Sequence, residues 1–381
     1  MGKYTTFVGA DVHARSISCR AVNVATGETW SKTFAGEGKV ISLEEWVRTL
    51  PGPAIAGYES GCTGFDMARR LAADGIECEV IAVTTIPRST KDKAHKCDKL
   101  DAAAIVREMA NPVRGYSSVW VPSAEEEAAR ELARLKVRAA EEVKASKQRV
   151  ACFLIKHGHA WNERTESGNL RKTWTAAYRT WLNSLRLDDP TSELVLNELV
   201  AAVDRRMVED GRIRSLVEKE AEKPRWKPYV DALCRLSGID VCTAFLAAAE
   251  FGSFERFPSG RRVSCWIGTI PRNSSSGEKE AHGGIAKDGN SFLRRALIEG
   301  CCGMQNRKNT VKGMRDGFVS PAVEAMAHKA NERMLGRYRR LVNESGKSVN
   351  KAKVAIASEM ARWIWAVGCQ VEREQGASAD S

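Results

Sequence analysis

The chain has 381 residues, of which 43% are hydrophobic and 28% charged, with a formal net charge of +11 at pH 7. This composition excludes a disordered chain, and the lack of a signal-peptide pattern, of an apolar run of ~18 residues and of any C-x-x-C pair predicts a cytoplasmic protein with reduced thiols. The basic excess favours a polyanionic partner, nucleic acid ahead of a membrane surface.

Residues 1–120 show alternating strand and helix patterns. Apolar, alternating stretches predict three strands within residues 4–34, and helical spacing follows from Leu43 to Leu50. A strand at 53–59, a helix at 62–73, a strand at 77–83 and a helix at 98–110 complete the order β-β-β-α-β-α-β-α. This order is typical of an α/β domain with a mixed sheet.

Residues 121–223 change to long charged helices. Ser123 and Glu126 have the spacing of a capping box, and a long amphipathic helix follows them. A second helix is predicted from about 191 to 222. Two such helices predict an antiparallel hairpin or a dimerising coiled coil, and a simple helical subdomain is the alternative.

Residues 224–372 are predicted to be mainly helical. The turn at Ser237, Gly238 and Ile239 lies between two helical stretches, as in a helix-hairpin-helix that offers backbone N–H groups to a phosphate; an ordinary turn between two helices is the alternative. The stretch "PRNSSSGEKEAHGGIAKDGN" at 271–290 predicts a flexible loop, because Gly, Ser and Asn tolerate unusual backbone angles. Residues 373–381 are expected to be a disordered tail.

Four acids of the first region are candidate metal ligands. Asp11 and Glu59 end predicted strands, and Asp98 and Asp101 share one face of a helix. Carboxylates that converge on one point repel each other unless cations lie between them, and oxygen ligands suit Mg²⁺ or Mn²⁺. Three of the acids also have a structural alternative: Asp98 as a helix cap, Asp101 as a surface acid and Glu59 as the partner of an arginine. Asp11 follows the buried run "FVGA" directly, which favours a functional role.

Four motifs together resemble a known family. The stretches "VGADVHARSISCRAV", "AGYESGCTG" and "KCDKLDAAAIV" resemble the RuvC-like domain, with its four acids, of the insertion-sequence transposases of the one-hundred-and-ten family. The stretches "LSGIDVCTAFLAAAEFGSFERF" and "WIGTIPRNSSSGEKEAHGGIAKDGNSFLRRAL" resemble that family's carboxy-terminal transposase domain. The resemblance covers about residues 4–370, and the helix at 134–161 is closest to the branch typified by the element numbered eleven-eleven.

The resemblance implies a bridge-RNA-guided DNA recombinase. It implies a RuvC-like, RNase H-like sheet domain, then a coiled coil, then a transposase domain. A noncoding guide RNA would pair with donor and target DNA, Mg²⁺ would be held by Asp11, Glu59, Asp98 and Asp101, and Ser276 would form a covalent phosphoserine link to the DNA. Homodimers would assemble into a tetramer with composite active sites, in the nucleoid-associated cytoplasm of a bacterium. Ala14 stands where the family often has Lys.

Cations around these motifs are the expected nucleic-acid contacts, and general nucleic-acid contact is the alternative to a role in the reaction. With the glycine turn, the expected nucleic-acid-binding residues are Arg15, Arg88, Lys91, Lys93, Lys96, Gly238, Lys279, His282, Lys287, Arg294 and Arg295. Two other functions compete with the recombinase. One is a structure-specific endonuclease that uses the same acids and a water nucleophile, and the other is a nucleic-acid-binding scaffold without catalysis.

Overall fold

The computed structural model describes residues 3–82, 98–111, 113, 115–276, 279–302, 304 and 317–379, without the side chains of 98–101, 272–283 and 378–379. The predicted nucleic-acid contacts Arg88, Lys91, Lys93 and Lys96 lie outside these residues. The chain divides into two compact units, Met1–Glu127 and Ala128–Ser381. The finer boundaries predicted at residues 120 and 223 stay a prediction.

The first unit contains the predicted mixed sheet. Its described strands are β1 (Thr6–Val12), β2 (Ser16–Asn23), β3 (Thr29–Ala35), β4 (Ala54–Glu59), β5 (Cys78–Ile81) and β6 (Ser118–Val119). They lie in the order β3-β2-β1-β4-β5-β6. The pairs β1–β2, β2–β3 and β5–β6 are antiparallel, whereas β4 is parallel to both β1 and β5. This topology fits the α/β, RuvC-like arrangement that the resemblance implies.

Helices cover both faces of this sheet. The described helices are α1 (Lys39–Thr49), α2 (Asp66–Ala73) and α3 (Asp98–Ala110). One face buries residues such as Val8, Ala10 and Tyr58 against the apolar sides of α1 and α2. The opposite face buries Ile55 and Ile81 against α3. Successive side chains of a strand point to opposite faces, so alternate residues of β4 lie in the two cores.

The second unit is mainly helical. Its described helices are α4 (Ala124–Lys156, which begins in the first unit), α5 (Ala176–Ser184), α6 (Pro190–Ala221), α7 (Lys227–Leu233), α8 (Val241–Phe251), α9 (Gly260–Trp266), α10 (Ser291–Gly300), α11 (Pro321–Arg339) and α12 (Val349–Ala379). The largest core of the unit lies among α7 to α12. Among the described residues, no helix is both long enough and apolar enough to cross a membrane.

The two long helices α4 and α6 run antiparallel. Lys136 pairs with Asp210 at 2.8 Å and Glu142 pairs with Arg206 at 3.0 Å, so the pairing order along one helix is the reverse of that along the other. The predicted capping box at the start of α4 is present: the Ser123 N–H donates to Glu126 at 2.8 Å, and the Glu126 N–H donates to the Ser123 hydroxyl at 3.2 Å. Dimerisation through these helices stays a prediction.

The structure corrects the expected tail. Helix α12 continues through Ala379, beyond residue 372 where we expected order to end. The reason is hydrogen bonding by polar side chains: Glu372 accepts the N–H groups of Phe254 and Glu255 at 2.8 and 2.9 Å, and the Tyr229 hydroxyl donates to Gln375 at 2.9 Å. These bonds hold the last turns of α12 against the rest of the second unit.

The structure also corrects the expected loop at 271–290. Two antiparallel strands form there, β7 (Pro271–Ser276) and β8 (Lys279–Ile285). Their register pairs Ser274 with Ala281 and Ser276 with Lys279, which leaves two residues, Gly277 and Glu278, between the paired ends. A two-residue connection that begins with Gly is a common pattern of tight β-hairpins, so the composition that predicted a loop also suits a hairpin. We call β7 and β8 the serine hairpin.

Candidate active site

Asp11 and Glu59 lie at the same edge of the sheet. The parallel register of β1 and β4 pairs Ala10 with Tyr58, so the two acids are the next residues of neighbouring strands. The Asp11 side chain is 19% exposed, and Glu59 is half-buried. By strand alternation both acids project to the face that carries Gly9 and Gly57. We call this pair the acid edge, and its geometry brings together two of the four predicted ligands.

Helix α3 approaches the acid edge over two glycines. A Cβ built on Gly9 would lie 2.5 Å from the carbonyl oxygen of Ala102, and one on Gly57 would collide with the sulfur of Met109. Because neither glycine has a side chain, the helix backbone lies directly on the strands. Ala102 follows Asp101, so the start of α3 is near β1, the strand that carries Asp11 next to its last residue. The side chains of Asp98 and Asp101 lie outside the described part of the structure.

The surroundings of Asp11 are polar on one side and apolar on the other. His13 places Nε2 3.0 Å from Oδ2 of Asp11. On the apolar side, burial and then the charge of Asp11 raise the pKa of the Cys19 thiol to about 12. Sequence reasoning missed His13, although the spacing in "DVH" places both side chains on one face of an extended strand.

The acid edge fits part of a site for Mg²⁺. Two carboxylates at one sheet edge supply oxygen ligands of the kind that Mg²⁺ and Mn²⁺ prefer. Within the side chains that the structure describes, no three His, Cys, Asp or Glu residues lie close enough to hold a metal ion. A complete site therefore needs ligands beyond Asp11 and Glu59, and the predicted further ligands Asp98 and Asp101 are on the helix that covers this edge.

Near the acid edge, Arg15 is exposed in the turn between β1 and β2. The ammonium of Lys39 binds the same turn, donating to the carbonyl oxygens of His13 at 2.9 Å and Ala14 at 2.5 Å. Lys39 of α1 thus places an ammonium group beside Ala14, the position where the family often has Lys. Arg15 remains available to a nucleic-acid phosphate.

In the second unit, Ser276 is the last residue of β7 and pairs with Lys279 across the serine hairpin. It is the serine that adjoins Gly277, as the motif predicts. The structure does not describe the side chains of Ser276, Lys279 and His282. The predicted roles of Ser276 as nucleophile and of the other two as phosphate contacts therefore stay predictions. The backbone alone places Ser276 at the tip of a two-stranded hairpin.

The base of the serine hairpin is fixed by backbone geometry. Gly268 and Gly289 have φ of +68° and +89°, and a Cβ at either would collide with a backbone carbonyl group. Lys287 also has a positive φ of 62°, and its N–H donates to the Gly268 carbonyl oxygen at 3.1 Å. The Asn290 N–H donates to the Trp266 carbonyl oxygen at 2.9 Å. These bonds tie the two arms of the hairpin together where they leave the helices.

Arg294 and Arg295, predicted as phosphate contacts, have partners within the protein. Arg294 donates to the carbonyl oxygen of Ile267 at 2.8 Å, and burial lowers its pKa against the opposing charge of Asp288. Arg295 forms an ion pair with Glu141 of α4. Lys287 is exposed and keeps the capacity to contact a phosphate.

A buried acid connects the hairpin base to the helical core. Glu250, 2% exposed, accepts hydrogen bonds from Arg134 at 2.6 Å and from the Asn290 amide at 2.7 Å. The oxygen of that amide accepts the Leu293 N–H at 3.0 Å and caps α10. Sequence reasoning missed Glu250, because it is the one charge in the otherwise apolar run "TAFLAAAEFG".

A turn lies between α7 and α8 at the predicted position, with φ of +98° at Gly238, and its assignment as a helix-hairpin-helix stays a prediction. One of its N–H groups is already used, since Ser237 donates to the side-chain oxygen of Asn331 at 2.7 Å. Gly238 lines a cavity of about 850 Å³ together with Lys136, Lys144 and Glu141. Acidic and basic side chains both line this cavity, so its charge does not favour the binding of a phosphate.

The fold and the acid edge define a class: they fit the RuvC-like enzymes that process nucleic acid. The family model described as "Transposase IS116/IS110/IS902 family" matches residues 230–316, which include the serine hairpin. The chain is 32% identical over 370 residues to "Putative transposase y4qE" of Sinorhizobium fredii, covering 95% of this chain and 88% of the relative. It therefore belongs to the IS116/IS110/IS902 family and is a DNA transposase.

Two further relatives carry the names of insertion sequences. The transposase for insertion sequence element IS1533 of Leptospira borgpetersenii is 26% identical over 352 residues, covering 89% of this chain and 97% of the relative. The transposase for insertion sequence element IS1111A of Coxiella burnetii is 30% identical over 132 residues, covering 35% of this chain and 30% of the relative. Their names agree with the insertion-sequence resemblance seen in the motifs.

Proposed function

We propose that this transposase cuts and rejoins DNA through a covalent phosphoserine intermediate. The observation that carries the proposal is the position of Ser276, the final residue of a strand in a hairpin whose base is fixed by Gly268 and Gly289. Such a support can hold a hydroxyl near a phosphodiester without a surrounding core. The matched family model spans this hairpin, which adds support.

In the proposed reaction, the Ser276 hydroxyl oxygen attacks the phosphorus and loses its proton. The bond from phosphorus to the 3′ oxygen breaks, and that oxygen takes up a proton, which leaves the DNA 5′ end on the serine. A 3′ hydroxyl of another strand then attacks the phosphoserine, releases the serine and rejoins the DNA. No net hydrolysis occurs, because each bond that breaks is replaced by another phosphoester.

The acid edge supplies the second half of the proposed site. Asp11 and Glu59, with Asp98 and Asp101 of α3, would hold Mg²⁺ or Mn²⁺, which would neutralise charge on the phosphodiester. The His13 imidazole, 3.0 Å from the Asp11 carboxylate, orients that carboxylate. A serine hydroxyl is a weak nucleophile on its own, so the proposal needs these acids near the hairpin in the assembled enzyme.

We further propose a noncoding guide RNA that pairs with donor and target DNA, and a tetramer of two homodimers with serine and acids from different protomers. The net charge of +11 supports binding of several nucleic-acid strands. Sequencing the RNA that copurifies with the protein tests this part. We expect one discrete RNA with loops that match two DNA sites, and a random mixture of cellular RNA would contradict it.

Replacement of Ser276 tests the covalent step. We expect Ser276→Ala to abolish strand transfer and the protein–DNA adduct that survives denaturing electrophoresis. Ser275→Ala is the matched control, because it removes a neighbouring hydroxyl from the same strand. Retained DNA cleavage by Ser276→Ala would favour the endonuclease with a water nucleophile. Unchanged DNA processing by Asp11→Ala, with Mg²⁺ present, would favour the scaffold.

A further inference from the structure

Helix α11 carries a row of cations on its outer face. Its inner face buries residues such as Val323, Ala327, Met334 and Tyr338 in the core of the second unit. The residues on its outer face are spaced three or four apart, which puts them on one side of a helix. We call the following residues the α11 stripe: Lys329, Arg333, Gly336 and Arg337 of α11, with Arg340, the first residue after the helix; the acid Glu332 lies among them.

The charge around the stripe is strongly positive. Residues 329–353 contain eight Lys or Arg and two Glu. Only two of these cations have a carboxylate partner among the described residues: Arg333 contacts Glu359 at 2.6 Å, and Arg337 contacts the other oxygen of the same carboxylate. For the others, no ion pair occurs within the part of the chain that the structure describes. They are Lys329, Arg339, Arg340, Lys347, Lys351 and Lys353.

Glu359 fixes the direction of two guanidinium groups. It is 5% exposed and lies on α12 beside the stripe. Burial raises its pKa, but hydrogen bonds from Arg337 and Arg333 outweigh burial and hold the pKa below its ordinary value. The carboxylate therefore stays charged at neutral pH and holds both arginines in place. Side chains that are already ordered lose less entropy when they bind a ligand.

A glycine interrupts the stripe. Gly336 lies within helix α11, where Gly costs about 1 kcal/mol relative to Ala. A Cβ built on Gly336 would meet no atom within 4 Å, so packing inside the protein does not require Gly there. Gly336 lines an open depression of about 570 Å³ with four cations, Lys329, Arg333, Arg337 and Arg340, and one acid, Glu332. The helix backbone is thus accessible at the centre of the cations.

The end of α11 adds exposed cations next to the stripe. A π-helical turn, Arg340–Glu344, follows α11, and the Ser345 N–H donates to the Arg340 carbonyl oxygen at 2.9 Å. Such turns occur frequently at functional sites. Arg339, Arg340 and Lys347 are exposed around this turn. These cations follow the stripe directly along the chain.

We propose that the α11 stripe binds the phosphate backbone of duplex DNA, outside the site where the strands react. From Lys329 to Arg340 a helix rises by roughly 16 Å, which exceeds the roughly 12 Å width of the major groove of DNA, so the stripe can reach phosphates on both sides of the groove. The stripe contains no aromatic residue on which an unpaired base could stack, so duplex backbone fits better than a single strand. Gly336 lets a phosphate approach the helix closely.

The proposal rests on the proposed function only in that DNA is the substrate. Its test is the binding of a fluorescent 30-base-pair duplex to the full chain, measured by anisotropy from 50 to 200 mM salt. We expect Lys329→Gln with Arg340→Gln to weaken binding roughly tenfold at 50 mM salt and to reduce the slope of log K against log salt by about 2. The matched control is Arg212→Gln with Lys219→Gln, which removes two exposed cations of α6.

Glycine variants provide a second test that does not change charge. Gly336 and Gly211 both lie inside helices with open space at the Cβ position. Alanine should raise the thermal stability of each slightly, because it favours helix. Only Gly336→Ala should weaken duplex binding. The proposal would be overturned if the stripe variants bound the duplex as tightly as their α6 controls. It would also be overturned if the stripe variants lost binding to RNA while they kept binding to the duplex.

The two experiments distinguish a failure of the phosphoserine proposal from a failure of the stripe proposal. If Ser276→Ala still forms the adduct while the stripe variants lose duplex binding, the phosphoserine proposal fails and the stripe proposal holds. If Ser276→Ala loses the adduct while the stripe variants bind normally, the reverse is true.

Discussion

The acid edge and the serine hairpin have different structural supports. Asp11 and Glu59 end neighbouring strands of a sheet whose two faces are covered by helices. Ser276 ends one strand of a two-stranded sheet, and such a sheet is marginally stable by itself. The acids are therefore positioned by a hydrophobic core, whereas the serine is positioned by the backbone bonds and glycines at the base of its hairpin.

This difference determines whether a substitution should change both stability and the reaction or only the reaction. A change under the acid edge alters packing across a continuous sheet, so it should affect both stability and reaction. A change at the hairpin base alters few core contacts, so it should move the serine while the helical core stays folded. Three substitutions test this contrast.

The largest expected effect is that of Asp11→Asn, which tests whether the acid edge acts through charge. The variant keeps the size of the side chain and removes its charge, so the proposed metal site loses a carboxylate ligand. Metal-assisted charge stabilisation is worth several kcal/mol, so strand transfer should fall ~100-fold or more. Unfolding by urea should be nearly unchanged. Glu45→Gln, an exposed acid of α1, is the control, and equal activity of the two variants would contradict a role for Asp11.

The same contrast explains what the sequence could predict. Apolar runs such as "TFVGA" and "AIAGY" predict buried strands that lead to Asp11 and Glu59, and the parallel register of these strands brings both acids to one edge of the sheet. The topology of the sheet fits the RuvC-like fold that the motifs imply. The strands and the mixed sheet rest on hydrophobic patterns, which are visible along the chain, whereas the RuvC-like assignment rests on the resemblance of the motifs.

The serine hairpin could not be predicted in this way. Residues 271–285 lack an apolar pattern, and their strands are formed by backbone pairing that composition does not show. The buried acid Glu250, which holds Asn290 at the hairpin base, lies in an apolar helix and its partners are distant in sequence. The last turns of α12 are ordered by distant polar contacts of the same kind.

The second substitution, Gly9→Ala, tests the sheet support. The added Cβ would lie 2.5 Å from the Ala102 carbonyl oxygen and 2.8 Å from Val106, so α3 must shift. Overpacking of this kind costs typically 1–3 kcal/mol, and strand transfer should fall with it because α3 carries Asp98 and Asp101. Urea denaturation and a strand-transfer assay measure the two effects. Gly61→Ala, with open space around its Cβ, is the control; an active Gly9→Ala variant of unchanged stability would contradict the prediction.

The smallest effect on strand transfer is expected for Gly289→Ala at the hairpin base. Gly289 has φ of +89°, and its Cβ would collide with the Trp266 carbonyl oxygen, so the strain should displace the hairpin. The global free energy of unfolding should change by less than about 1 kcal/mol, because the hairpin contributes little to the core. Strand transfer should nevertheless fall about tenfold, since misplacement of a reacting group is costly. Gly284→Ala in β8 has open space and is the control. A Gly289→Ala variant that loses stability as much as Gly9→Ala would show that the hairpin base is part of the cooperative core, and the contrast between the two supports would no longer hold.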